Sequence, residues 1–225
     1  MRFAFKTAPQ NTTWADMLAV WREADDIDLF ESGWTFDHFY PIFSDSTGPC
    51  LEGWVTLTAL AQATNRLRLG TLVTGVVYRH PAVLANETTD HTGQHYRLTA
   101  ARCEPKPVQR PHPPICIGGL GEQRTLRTVA RLAQHWNLPM AAGPEAFKEK
   151  RDVLAAHCAD IGRDPAEITT SIHIRLPQSG DIGPLVDEAA AYADAGMDLG
   201  IVYLPPPHTP AVLEPVAQAL RPLAG

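Results

Sequence analysis

Arg2-Phe3-Ala4-Phe5-Lys6, followed by Thr7-Ala8-Pro9-Gln10, is the stretch that decides between the two parallel α/β architectures. The first five residues alternate as a short strand. Thr12-Thr13 then offers an N-cap to a helix with Trp14, Met17, Leu18, Trp21 and Ala24 at helical spacing. A doubly wound nucleotide fold would carry a glycine fingerprint at this first strand-to-helix turn, and Thr7-Ala8-Pro9-Gln10 contains no glycine. The same unit recurs outward from here. Leu29 to Phe36 reads as a strand, Asp37 to Gly48 as a polar loop and Leu51 to Ala63 as a helix. Arg66 to Val73 is a third strand, its apolar run long enough to predict cover on both faces. Tyr78-Arg79-His80-Pro81 then opens a short helical start reaching Asn86.

The rhythm breaks next: Glu87 to Leu98, turning at Gly93, reads as a hairpin, and Ala100 to Pro114 as a proline-rich connector. It resumes with the strand Pro114 to Ile117, the turn Gly118-Gly119-Leu120-Gly121, and a helix with Leu126, Val129, Ala130 and Ala133 in register. A strand around Trp136, a helix from Glu145 to Ile161, a strand from Ile168 to Leu176 and a helix from Pro184 to Ala195, closed by Gly196, follow. Met197 to Tyr203 is the last strand, and the terminal helix starts at Thr209-Pro210 or, preferably, near Glu214-Pro215. Seven strands alternating with helices predict a parallel (β/α) barrel one strand short of eight. The strand Arg66 to Val73 then either closes against the strand at Ile115 or is left as an edge.

Composition narrows the function. With 25 Asp and Glu against 19 Lys and Arg, the formal charge is -6, which disfavours nucleic acid or an anionic membrane as the main partner. No 18-residue apolar stretch and no secretory leader pattern are seen, so a cytoplasmic protein is expected. Cys50, Cys103, Cys116 and Cys158 fall at irregular intervals, and neither a disulfide framework nor a metal site is expected. His91 and His95 flank Gly93 without a third ligand and read as surface residues.

In a parallel barrel the chemistry sits where strands end. Three ends stand out. Asp37-His38 places an imidazole beside a carboxylate, a pair able to act as general acid or base, or simply a loop histidine bonded to its neighbours. Thr74-Gly75-Val76 breaks a strand with glycine, which suits a bulge or the close approach of a flat ligand, or a turn with no ligand. Gly118, Gly119 and Gly121 precede a helix and suit an anion such as phosphate, without the lysine of a P-loop. Arg124, Arg127 and Arg131 form a solvated stripe, of which only Arg124 is placed to help hold an anion.

Taken together, Phe36-Asp37-His38-Phe39, Leu69 to Val76, Tyr78-Arg79-His80-Pro81, Pro105-Lys106-Pro107-Val108-Gln109, Pro113 to Gly119 and His135-Trp136-Asn137 resemble the luciferase-like monooxygenase superfamily. They are most similar to its branch dependent on the deazaflavin coenzyme F420. The resemblance implies a TIM barrel, a single domain over residues 1–225, and a homodimer. It makes His38 the acid/base next to the reactive ring and Asp37 the residue that fixes its loop. Thr74, Gly75 and Val76 would support one ring face, with a non-prolyl cis peptide at Gly75-Val76. Gly118, Gly119, Gly121 and Arg124 would hold the phosphate. It also implies that a strand-helix unit is absent between residues 86 and 87. The expected activity is F420-dependent hydride exchange with a small organic substrate. The alternatives are an FMN-dependent monooxygenase of the same superfamily and a degenerate barrel that binds a flavin-like ligand without turnover.

Overall fold

The computed structural model describes residues 1–42, 45–75, 89–92, 97–101, 109–110, 112–140 and 142–225. They divide into two compact units, Met1–Val73 with Ile115–Gly225, and Thr74–Pro114. The first unit holds the parallel sheet. Its elements are β1 (Arg2–Thr7), α1 (Trp14–Asp26), β2 (Phe30–Asp37), α2 (Gly53–Ala63) and β3 (Arg68–Thr74). After the second unit come β6 (Cys116–Gly118), α3 (Arg127–Leu132), β7 (His135–Leu138), α4 (Gly143–Ala159), β8 (Thr169–Arg175), α5 (Gly183–Asp194), β9 (Leu199–Leu204) and α6 (Leu213–Leu220). The second unit contains the hairpin of β4 (Thr89–Thr92) and β5 (Arg97–Ala101), antiparallel with His91 opposite Leu98. Its turn at Gly93, His95, Tyr78 to Pro81 and the junction of residues 86 and 87 lie outside the described residues.

All seven strands expected for the sheet are present, in the order β3-β2-β1-β9-β8-β7-β6. Alternation along each strand sorts the side chains. Phe3, Phe5 and Phe30 join Met17, Val20 and Trp21 in the layer between sheet and helices, where Phe5 meets the Trp21 ring edge-on at 5.0 Å. Each of these phenylalanines contributes about 1.5–3 kcal/mol by leaving water. Ala4, Leu72, Leu199 and Ile201 face the other way and fill the barrel interior with Trp34 and Cys116.

Among the described residues the barrel is not closed by hydrogen bonds. Strands β3 and β6 end the sheet; Leu72 and Cys116 share the interior cluster across the seam, and Gly118 lies close enough that a Cβ there would stand 4.0 Å from Val73 Cγ1. The expected cover on both faces of the third strand is therefore corrected. Only Leu72 of β3 is buried and Val73 is 43% exposed, as befits a strand with a hydrogen-bonded neighbour on one side.

The helix after the glycine turn starts differently from its apolar register. Gly121 has no side chain to accept the first N–H groups, and Glu122–Leu126 forms a π turn, with the Leu126 N–H donating to Gly121 O at 2.9 Å, before α3 begins. The terminal helix opens with a 3-10 turn at Pro210–Val212 and becomes α-helical at Leu213, close to the later of the two expected starts. Thr13 caps α1 as expected, accepting from the Asp16 N–H at 3.2 Å, and Gly196, at φ +84°, follows α5.

Helices α1 and α5 carry no basic residue in their last turns. Distant arginines serve instead. Arg66, just before β3, donates to the carbonyls of Ala24, Asp25, Ile27 and Phe30 at 2.7–3.0 Å. Arg163, just before β8, donates to Ala130 O at 2.8 Å and Ala133 O at 2.7 Å at the end of α3, and Arg151 to Ala195 O at 2.9 Å after α5. Each satisfies orphan carbonyls and places a cation at the negative end of a helix.

Gly33 is required by packing. A Cβ there would lie 2.5 Å from Trp21 Cζ3 and 2.9 Å from Phe5 Cζ, both rings being fully buried. Gly33→Ala is expected to lower stability by about 1–3 kcal/mol through overpacking. Denaturant unfolding of the variant checks it, and an unchanged midpoint would contradict the packing.

Candidate functional site

Because the seven strands are parallel, their C-terminal ends share one face. His38 leaves β2 on this face and Gly118 ends β6 there. Thr74 ends β3 and Gly75 follows it, both in the second compact unit, while Val76 lies outside the described residues. A non-prolyl cis peptide lies at Leu72-Val73; the Gly75-Val76 bond, where one was expected, lies outside the described residues.

His38 is held on three sides. Its ring meets Phe36 edge-on at 4.9 Å, two residues back on the same face of the strand. Its carbonyl accepts from the Cys50 thiol at 3.4 Å. Its loop is pinned by Gln10, whose amide donates to Tyr40 O at 3.0 Å and accepts from the Ile42 N–H at 3.1 Å. The first turn, Thr7-Ala8-Pro9-Gln10, thus fixes the segment after the histidine. Asp37 is fully buried, and a Cβ on Gly53 would stand 3.0 Å from its Cα, so α2 starts against the end of β2.

Burial lowers the His38 pKa, the Lys6 ammonium lowers it further, and Asp37 opposes both. The net direction is down. The imidazole is therefore neutral at neutral pH, with a lone pair to accept a proton.

The interior beneath carries a polar set that the strand pattern contained but did not single out. Lys6, His135, Asn137, Ser171, His173 and Tyr203 stand on the strand positions that alternate with the outward residues Phe5, Trp136, Ile172, Ile174 and Val202, and the exposed Arg175 continues the row at the end of β8. Ser171 Oγ bonds His135 Nε2 at 2.6 Å and accepts from Asn137 Nδ2 at 2.9 Å. His135 is held down to about 4 by burial, with Arg2 and Arg68 adding to it. His173 is pushed well below its ordinary value by burial, then by Lys6 and His135. Its buried Nε2 has no hydrogen-bond partner among the described residues. Burial raises the Cys116 thiol to about 12, so it stays protonated.

At the end of β6, Gly119 adopts φ +129°, and its N–H donates to Asn137 O at 3.2 Å while its carbonyl accepts from Trp136 Nε1 at 2.8 Å. A Cβ at Gly119 or Gly121 would press on Thr125, at 3.1 and 3.0 Å. Both glycines thus fit the helix start closely. Gly118 is roomier, with only ordinary contacts within 4 Å. Arg124, Arg127 and Arg131 are exposed, as their stripe implied. Among the described residues no group of His, Cys, Asp and Glu could hold a metal ion.

The arrangement offers a neutral proton acceptor, an orphaned imidazole nitrogen and a glycine at the rim. The family model for luciferase-like monooxygenases matches residues 1–89 and 83–220. An F420-dependent secondary alcohol dehydrogenase in complex with an F420-acetone adduct superposes with a TM-score of 0.81 at 13% identity, over 100% of this chain and 99% of that one. A coenzyme F420-dependent tetrahydromethanopterin reductase from Methanopyrus kandleri gives 0.74 at 14% identity, over 98% of each chain. A riboflavin lyase with modified FMN and substrate riboflavin gives 0.62 at 13% identity, over 100% and 92%. At such identities the likeness is one of fold, a seven-stranded, nearly closed version of the TIM barrel, whereas the family match covers nearly the whole sequence. The chain belongs to the luciferase-like monooxygenase family.

Proposed function

We propose that the chain is an oxidoreductase that binds coenzyme F420 and exchanges hydride with a small organic substrate, as a cytoplasmic homodimer. The observation that carries this reading is His38, held neutral on the C-terminal face of a barrel of this family. Bound deazaflavin would supply the hydride chemistry. The chain's own residues would do the rest. Neutral His38 accepts the proton a substrate gives up on oxidation, and returns it in reverse. Phe36, Cys50 and Gln10 keep the imidazole oriented through their contacts with its ring, carbonyl and loop. Asp37 would support the loop, Thr74, Gly75 and Val76 would back the ring, and Gly118, Gly119, Gly121 and Arg124 would hold the phosphate. The Gly119 N–H is already used in the sheet, so the phosphate would meet the N–H groups that follow it. No helix among the described residues is long and apolar enough to cross a membrane.

Titrating the purified protein separately with F420 and FMN, followed by fluorescence, tests the reading. Micromolar or tighter F420 binding is expected, with FMN at least about tenfold weaker, a gap of about 1.4 kcal/mol. FMN binding as tightly, with oxygen consumed on its reduction, would favour the monooxygenase of the same family. Binding without turnover of any carbonyl or alcohol substrate would mark a degenerate barrel.

A further inference from the structure

We propose that a cleft at the rim of the barrel, beside Arg175, is a binding site for a carboxylate group, so that the small organic substrate is an organic acid. The inference rests on the proposed function only in calling that acid a substrate. The cleft, of about 60 Å³, is lined by Ala8, Gln10 and Asn11 from the turn after β1, Arg175 and Gln178 from the end of β8, and Tyr203 from β9. It thus lies on the C-terminal face that also carries His38. Its walls are held by bonds of their own. Nε2 of buried His208, after β9, donates to Ala8 O at 2.8 Å. The Gln10 amide is engaged by Tyr40 O and the Ile42 N–H, and the Asn11 amide donates to Asp45 O at 3.0 Å. The Asp45 carboxylate itself is turned to Thr47, accepting from its hydroxyl at 2.7 Å and its N–H at 2.9 Å. Arg175 stands opposite Tyr203 in the β8–β9 register, with its guanidinium carbon 5.7 Å from the ring centroid. A planar cation laid over a ring is oriented in advance, and its fork meets a carboxylate with two parallel N–H bonds.

Size and charge select the ligand. The volume is that of roughly two waters at about 30 Å³ each, room for the two oxygens of a carboxylate but not for a ring. Arg175 carries the one formal charge among the lining residues, which matches a monoanion and leaves a phosphate dianion half paired. Gln178 brings a side-chain amide able to donate to the same group. An alcohol or ester of equal size would fill the space without pairing the guanidinium. The surroundings also give the acid a direction. Ala8 and Tyr203 form one buried cluster with Phe36, and the His38 ring meets Phe36 at 4.9 Å. A carboxylate seated at Arg175 therefore leaves the rest of the molecule to cross this cluster toward His38, with its reacting carbon remote from the acid group.

The test follows the arginine Nε resonances of the nitrogen-15-labelled wild-type chain, without coenzyme, as sodium butyrate is added at constant ionic strength. Saturable shifts at Arg175 are expected, with a dissociation constant on the order of 1 mM. Exposed Arg127, on the outer side of α3, should not saturate. The uncharged 1-butanol should leave Arg175 unmoved, and inorganic phosphate should bind at least about tenfold more weakly than butyrate. Arg175→Lys keeps the charge but not the fork and should weaken butyrate several fold, whereas Arg175→Gln should abolish saturation. Arg175 is exposed, so both variants are expected to fold, as circular dichroism checks, and the wild-type titrations decide the matter without them. Equal titration of Arg175 and Arg127, phosphate as tight as butyrate, or no response at Arg175 overturns the proposal. Failure to bind F420 would leave a saturable butyrate site standing, and failure to bind butyrate would leave the coenzyme reading standing.

Discussion

Replacing His38 with alanine lowers turnover of a confirmed substrate by about a hundredfold or more while cofactor affinity stays within a few fold, as expected when a proton-transfer group is lost. Alanine removes the imidazole but leaves the main chain, and the contacts fixing this loop are largely to main chain. Gln10 bonds Tyr40 O and the Ile42 N–H, and Cys50 bonds the residue-38 carbonyl. The loss should therefore fall on kcat rather than on binding. Burial and Lys6 lower the pKa of His38, so the neutral base persists to a more acidic pH than an ordinary histidine would allow. In the direction of substrate oxidation, the acid limb of the wild-type rate profile should lie below pH 6.5 and vanish in the alanine variant. An unchanged rate removes His38 from the mechanism.

Lys6→Met is expected to stabilise the folded chain by about 2–4 kcal/mol at pH 7, an effect opposite in sign to that of most core substitutions. Lys6 falls from 10.5 to about 7 on burial, which corresponds to a cost on the order of 5 kcal/mol at neutral pH. Loss of the Leu72 carbonyl bond, made by a charged donor, offsets about 1.5–3 kcal/mol of the gain. Between pH 7 and 10.5 the unfolded chain holds the extra proton, so wild-type stability rises with pH across that window. Above it the lysine is neutral in both states and the cost is gone. The advantage of methionine should shrink accordingly when denaturant midpoints are compared at pH 7 and pH 10. An equal advantage at both, or none at pH 7, shows that the amine is already compensated.

The number of strands was legible because each buried face repeats with its own period, and the glycine-free turn after β1 disfavoured the doubly wound sheet. Asp37-His38 could be found because a strand end is a fixed place in a parallel barrel. Lys6 could not be singled out in this way. Two aromatic residues on one strand face, Phe3 and Phe5, mark the side packed on helices, but nothing in Ala4 and Lys6 says whether a small-and-charged face looks to solvent or to a barrel interior. That distinction is set by curvature, a property of seven strands together. The exposure of β3 was missed for the same reason, since an apolar run carries no record of whether a strand has one neighbour or two. Arg66, which reads as the first residue of the third strand, and Arg163 carried no signal of their roles because their acceptors are carbonyls 30 or more residues earlier in sequence, such as Phe30 and Ala133.

Those two arginines change how a ring with a missing member should be pictured. A hoop keeps its shape only if its circumference is complete, and removing one segment springs it. An arch keeps its shape through braces between successive stones. Arg66 braces the end of α1 against the approach to β3, and Arg163 braces the end of α3 against the approach to β8. The angle between neighbouring strand-helix units is thereby fixed locally, twice, on either side of the seam. The curvature of the remaining arc need not depend on what stands in the opening, which is how the strand ends that carry His38 and Gly118 can keep their places in a shortened barrel.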